Sequence, residues 1–241
     1  MDTKVNILTS ALLTILLMSS ISLHADTFYV CTGATLNLSP SAAPANTHYV
    51  WDIKQGASSI TGYPSATAPT SLPSAGTYEL ILTTVLDDPA NTSICPPDPT
   101  NHTLIVLPAL SIALNAPSTS SYCATSGVPS ATVAQTTTGF PSGYGSDLER
   151  EFRYTVVKDA DTPVDGATLG TVDQATGTYT LNTTTAATYK ITGYVKYKQK
   201  AGATGTLLNP SNGCEANSSA TQQTVTVTVK PAKPTLTITA N

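Results

Sequence analysis

Only 11% of the 241 residues are charged, against a usual figure of about 25%, and 11 basic against 15 acidic side chains leave a net charge of −4. With a pI of about 5.2, the chain lacks the basic footprint that binding to phosphate backbones needs, which excludes nucleic acid as a partner. Thr, Ser, Ala, Pro and Gly take the place of the charges, a mixture that disfavours helices and favours short strands.

In chain order, the first element predicted is a secretory signal peptide over residues 1–25. Lys4 gives a basic start, residues 7–18 are apolar apart from Thr9, Ser10 and Thr14, and Ser22-Leu23-His24-Ala25 offers a cleavage point after Ala25. The apolar core falls short of the about 20 residues of a spanning helix, so export without a membrane span is expected.

Residues 26–108 read as strands and turns. Cys31 opens the stretch, and Tyr49-Val50-Trp51 begins an alternating strand that turns Tyr49, Trp51 and Ile53 inward. Ser74-Ala75-Gly76-Thr77-Tyr78-Glu79-Leu80 leads a second strand, Cys95 follows in a long loop, and His102-Thr103-Leu104-Ile105-Val106-Leu107 closes the unit. Lys54 is the one base here, against six acids, so this half is acidic while the next is balanced.

Residues 109–230 repeat that order. Ser111-Ile112-Ala113-Leu114 alternates, Cys123 follows, then Phe152-Arg153-Tyr154, then Thr185-Ala186-Ala187-Thr188-Tyr189, then Cys214, then Thr224-Val225-Thr226-Val227-Thr228-Val229. Within this half Asp159, Asp161 and Asp165 are a calcium candidate, since three carboxylates supply hard oxygen ligands. Pro163 and Val164 stand where a calcium loop of the helix–loop–helix type needs a ligand and a glycine, and a hairpin turn accounts for the same residues. Lys190, Tyr194, Lys196, Lys198 and Lys200 share the outward face of a strand. They are a candidate face for an acidic glycan or protein, or ordinary protection of a strand edge.

The recurring order is an internal repeat, which predicts an all-β chain of two tandem antiparallel β-sandwich domains, residues 26–108 and 109–230. Residues 231–241 then form a linker and the first strand of a truncated third repeat, because Pro231-Ala232 repeats Pro108-Ala109 and Thr235-Leu236-Thr237-Ile238-Thr239 alternates anew. Further repeats beyond Asn241 are expected. Four cysteines in an exported chain predict two disulfides, and sequence permits three pairings. The repeat favours one bridge within each unit, Cys31 with Cys95 and Cys123 with Cys214. His48 and His102 have no convergent ligands in the sequence and read as structural or solvated.

Cys31-Thr32-Gly33-Ala34-Thr35-Leu36-Asn37-Leu38, Tyr49-Val50-Trp51-Asp52, Gly76-Thr77-Tyr78 and the run Gly170-Thr171-Val172-Asp173-Gln174-Ala175-Thr176-Gly177-Thr178-Tyr179 resemble the PKD-like and immunoglobulin-like repeats of secreted and cell-surface proteins in gliding Gram-negative bacteria. The chain departs from that pattern at Tyr154, where the first unit has Trp51, and at Ala187, where it has Gly76. The resemblance implies a non-catalytic surface adhesin or structural spacer, with no cofactor and with a protein or glycan partner. Two alternatives stay open: a glycan-binding accessory module of a larger secreted hydrolase, and a strand-donating, pilus-like subunit. No nucleophile-elbow, zinc-protease or phosphate-loop motif occurs in the sequence, so no catalytic residue is proposed.

Overall fold

The computed structural model describes residues 26–90, 93, 95–124, 130–208 and 214–238. The expected signal peptide lies outside them. The described residues are all-β, with seventeen strands and three single-turn 3₁₀ helices. In the first half these are β1 (Thr27–Cys31), β2 (Thr47–Gln55), β3 (Ser58–Ser59), β4 (Gly76–Leu86) and β5 (Thr100–Leu107). Then come β6 (Ser111–Leu114), β7 (Ser121–Ala124), β8 (Ala131–Val133), β9 (Gln135–Thr138), β10 (Leu148–Lys158), β11 (Val164–Asp165), β12 (Gly170–Asp173) and β13 (Thr178–Leu181). The last four are β14 (Ala187–Gln199), β15 (Thr206–Leu207), β16 (Ala216–Asn217) and β17 (Gln223–Val229).

The repeat read in the sequence is a repeat of topology. One sheet runs β1-β5-β4-β2-β3 and another runs β7-β17-β14-β10-β11, the same order of equivalent strands. In both, the cysteine strand lies parallel to the closing strand, β1 beside β5 and β7 beside β17, and the other neighbours are antiparallel. The matched phrases superpose in chemistry too. Tyr78 donates its hydroxyl to Ser74 O at 3.0 Å, and Tyr189 donates to Thr185 O at 2.8 Å. Each is a tyrosine corner, a phenol tying the start of a strand to the backbone four residues upstream.

The halves differ in their second layer. In the C-terminal half, β12-β13-β8 and β6-β9 form the opposing sheets of a sandwich. Its core stacks Tyr154 on Tyr179, ring centroids 4.9 Å apart, and their phenols donate to the carbonyls of Gly177 and Gly166. Both rings are fully buried, and burial pushes the Tyr154 phenol up to about 12. In the N-terminal half the opposing layer is mostly irregular chain pinned by single bonds, such as Leu36 N to Thr70 O at 2.8 Å and the paired bonds between Trp51 and Ser65. Leu36 and Leu72 of this layer bury against Trp51, Ile53, Tyr78 and Leu80, so Trp51 is core, as its alternation predicts. Prolines at 40, 44, 64, 69 and 73 remove ladder donors there, which accounts for the irregular backbone.

Candidate functional site: the junction of the two halves

β1 and β5 are buried on both faces. Val30, Leu104 and Val106 face the N-terminal core, while Tyr29, Ile105 and Leu107 belong to the core of the C-terminal sandwich. A side chain of this size contributes about 1.5–3 kcal/mol when fully buried, so the contact couples the halves strongly. The connection between them is gripped as well. The Tyr197 hydroxyl lies 3.0 Å from Pro108 O and 2.9 Å from Gly139 O, sharing one proton between two carbonyls. Gly139 has φ +87°, and a Cβ there would stand 2.2 Å from Ala109 O, so a larger residue would push the linker away.

A strap from the C-terminal half completes the junction. After β14 the chain leaves its own sandwich, and β15 adds to the edge of β1 in parallel, with Phe28 opposite Thr206 and Tyr29 opposite Leu207. This covers an edge that would otherwise offer unpaired backbone groups. The strap is held at both ends. At its start Asp147, only 6% exposed, accepts from Tyr29 Oη at 2.9 Å, Gly205 N at 3.0 Å and Thr204 Oγ1 at 3.2 Å. Burial alone would push the Asp147 carboxyl up, but these hydrogen bonds outweigh it and hold it below the ordinary carboxylate range. Burial, with the neighbouring carboxylate, pushes the Tyr29 phenol up to about 12.

At the far end of the strap, Cys214 is bonded to Cys31 of β1, with 5.4 Å between Cα atoms. Directly after it, Glu215 receives both Nε and Nη2 of Arg153, at 3.0 and 2.8 Å, and β16 pairs with β14. The bridge spans 183 positions, for which chain entropy gives about 5 kcal/mol of stabilisation.

The two bridges expected within units are therefore replaced by one between them, and the exposed Cys95 and Cys123 are unpaired. The reason is strand direction. The repeat correctly makes the cysteine strand a neighbour of the closing strand, but the pairing is parallel. Cys31 stands level with Leu107 at the end of β5, whereas Cys95 precedes its start at Thr100. The seven steps between span about 23 Å, far beyond the about 4.4–6.8 Å Cα separation of a disulfide. In the same way Cys123 stands level with Thr228, near the end of β17, while Cys214 precedes that strand.

The lysine stripe is not an open basic face. Lys190 lies between β10 and β17, whereas Lys196 and Lys198 pair with β10 alone, beyond the reach of β17 and β16. Across the register, Lys196 meets Glu151 at 3.7 Å, Lys198 meets Glu149 at 3.3 Å, and Tyr194 lies under Arg153 at 3.9 Å from the ring centroid. Lys200 belongs to the junction instead, where its ammonium donates to Gly145 O and its backbone N–H to Asp147 O. Lys190 faces Val157 and Thr224 across the ladder. Beside the stripe an open cleft of about 600 Å³ carries Phe140, Gln174 and Arg150, the guanidinium 5.5 Å from the Phe140 ring centroid.

The calcium candidate separates into turn contacts. Asp159, at φ +49°, accepts from Thr188 N at 2.9 Å, and Asp165 caps a 3₁₀ turn by accepting from Ala167 N at 2.9 Å. Asp161 is exposed. No cluster of three metal-competent side chains occurs among the described residues. His48 pairs with Asp87 at 2.8 Å on the surface, and His102 stands edge-on to Phe28. No helix of the described residues is long and apolar enough to cross a membrane.

No protein-family model matches the chain, and no curated protein is similar to it. Among solved structures it is similar to three N-terminal domains of the bacteriophage RB49 highly immunogenic outer capsid protein, at 10% identity and TM-score 0.48, covering 86% of this chain and 68% of that one. It is also similar to fibronectin(III)-like modules of Clostridium thermocellum CbhA, at 14% identity and TM-score 0.34, covering 86% and 92%. A third likeness is to immunoglobulin domains 1–4 of Sidekick-1, at 13% identity and TM-score 0.39, covering 86% of this chain and 48% of that one.

Proposed function

We propose that the chain is an exported, non-catalytic spacer of a cell surface, with two immunoglobulin-like units, residues 26–108 and 109–230, held in one fixed orientation. The observation that carries this reading is the strap: β15 on β1, the Asp147 hydrogen bonds and the Cys31–Cys214 bridge all join one unit to the other. A flexible linker would leave two such units to reorient, since small interdomain contacts permit motion by default. Here the linker, one face of a sheet and a covalent bond oppose it together. The bridge fits an oxidising compartment, which supports export. The junction's polar groups bond one another, Tyr29 and Gly205 with Asp147 and Arg153 with Glu215.

Small-angle scattering on the oxidised protein tests the proposal. One rigid arrangement of the units should fit the curve, and reduction or Asp147→Ala should broaden it. An oxidised protein that already needs many relative orientations would contradict the spacer role. An adhesive role adds a protein or glycan partner, for which the cleft beside Phe140 and Arg150 is the proposed seat.

A further inference from the structure

Among the described residues, one position of the repeated order is unfilled. In the C-terminal sandwich β6 precedes the cysteine strand and buries Ile112 and Leu114 over β14. Gly193 makes room for it, since a Cβ there would lie 2.9 Å from Leu114 Cδ2 and 3.2 Å from Ile112 Cδ1. The end of β6 is fastened: Leu114 N donates to Thr221 Oγ1 at 3.0 Å, and Leu114 O accepts from Gln223 Nε2 at 3.1 Å. In the N-terminal half no described strand precedes β1, and the equivalent place is an apolar groove of about 280 Å³. Leu36 and Leu38 form one wall, and Leu80, His102 and Leu104 line it from the sheet.

His102 holds the place of Gln223. Tyr78 pairs with Leu104 and Leu80 with His102, as Tyr189 pairs with Val225 and Ile191 with Gln223. Gln223 has the β6 carbonyl to bond. His102 Nδ1 is buried without a hydrogen bond, and Asp26 Oδ2, 3.8 Å away, is beyond bonding distance. A buried polar atom left unpaired is unfavourable, so a carbonyl placed there would gain a hydrogen bond. Leu82 stands where Gly193 stands in the other half, so its side chain takes part of the room that Ile112 and Leu114 take there, and the part left open is lined by Leu80, His102 and Leu104.

The chain carries a strand of matching pattern. Ser111-Ile112-Ala113-Leu114 follows Pro108-Ala109, and Thr235-Leu236-Thr237-Ile238 follows Pro231-Ala232. Residues 231–238 pair with no described strand, and Leu236 and Ile238 are 84% and 83% exposed. We infer that residues 235–238 of one copy fill the Leu36–His102 groove of a second copy, Ile238 entering between Leu38 and Leu80 and its carbonyl accepting from His102 Nδ1–H. The contact adds a strand to an incomplete layer by β-augmentation. It joins tail to head, so it extends into linear assemblies instead of closing a dimer. It does not rest on the spacer reading, because a flexible two-unit chain could exchange strands and a stiff one could stay single.

Sedimentation equilibrium on the protein as purified, its N-terminus read by intact mass, tests the inference. The average mass should rise with concentration above that of one chain. The variant Leu236→Lys/Ile238→Lys, changed only at exposed positions, should stay monomeric at every concentration. A peptide of residues 230–241 added to that variant should shift the His102 imidazole resonances, and the same peptide with both lysines should not. A wild-type protein that stays monomeric throughout, whether its groove is empty or filled from its own chain, overturns the inference. So does a variant that assembles as the wild type does.

Discussion

Tyr29 and Asp147 meet across 118 positions, the phenol donating to the buried carboxylate at 2.9 Å, and this contact ties β1 of one unit to the residue that anchors the strap of the other. Asp147 also receives Gly205 N, Thr204 N and Thr204 Oγ1, so its loss frees four donors at once. Asp147→Ala should destabilise the protein by about 2 kcal/mol, and Tyr29→Phe by about 1 kcal/mol, in urea unfolding. Faster amide exchange at Gly205 in both variants would place the loss at the strap, and unchanged exchange there would contradict the assignment.

The same pair sets a pH window. The Asp147 carboxyl is held low in the fold, so its contribution is complete above the ordinary carboxylate range near pH 4 and is lost as pH falls through its folded value. The Tyr29 phenol is held up at about 12, so its contribution is complete below pH 10 and disappears as pH rises toward 12. Gly205 exchange protection, corrected for the intrinsic rate, should be flat between about pH 5 and 9. It should weaken on both sides.

The charged stripe should matter little. Lys198 and Glu149 are 52% and 42% exposed, and such pairs contribute at most about 1 kcal/mol. Exchanging them, Glu149→Lys with Lys198→Glu, should leave the urea midpoint unchanged within about 0.5 kcal/mol. A larger loss would show that the stripe carries more than cross-strand pairing.

The two tyrosine corners should be equivalent. Tyr78→Phe removes the bond to Ser74 O and the contact with Ser74 Oγ, Tyr189→Phe removes the bond to Thr185 O, and each should cost about 1 kcal/mol. A corner that could be removed at no cost would break the structural equivalence of the two halves.

Much of this fold is legible in the residues. Alternation placed Trp51, Tyr78 and Tyr189 in the cores, and the matched Ser74-to-Tyr78 and Thr185-to-Tyr189 phrases marked equivalent strands. The junction has one signal in the residues, outside the repeated pattern. Leu104-Ile105-Val106-Leu107 is apolar without interruption, whereas Thr224-Val225-Thr226-Val227 alternates, and a continuous run marks a strand covered on both faces. The disulfide partner was hidden because strand direction decides which ends meet, and a list of strands carries no direction. Asp147, Thr204 and Gly205 meet only after the strap folds back, and no local pattern announces that.

Disulfide mapping of the unreduced protein after alkylation tests whether the strap is covalent. The expected result is a linked peptide pair containing Cys31 and Cys214, with Cys95 and Cys123 both alkylated. Peptides linking Cys31 to Cys95, or Cys123 to Cys214, would place the bridges within the units and remove the covalent strap on which the rigid junction depends.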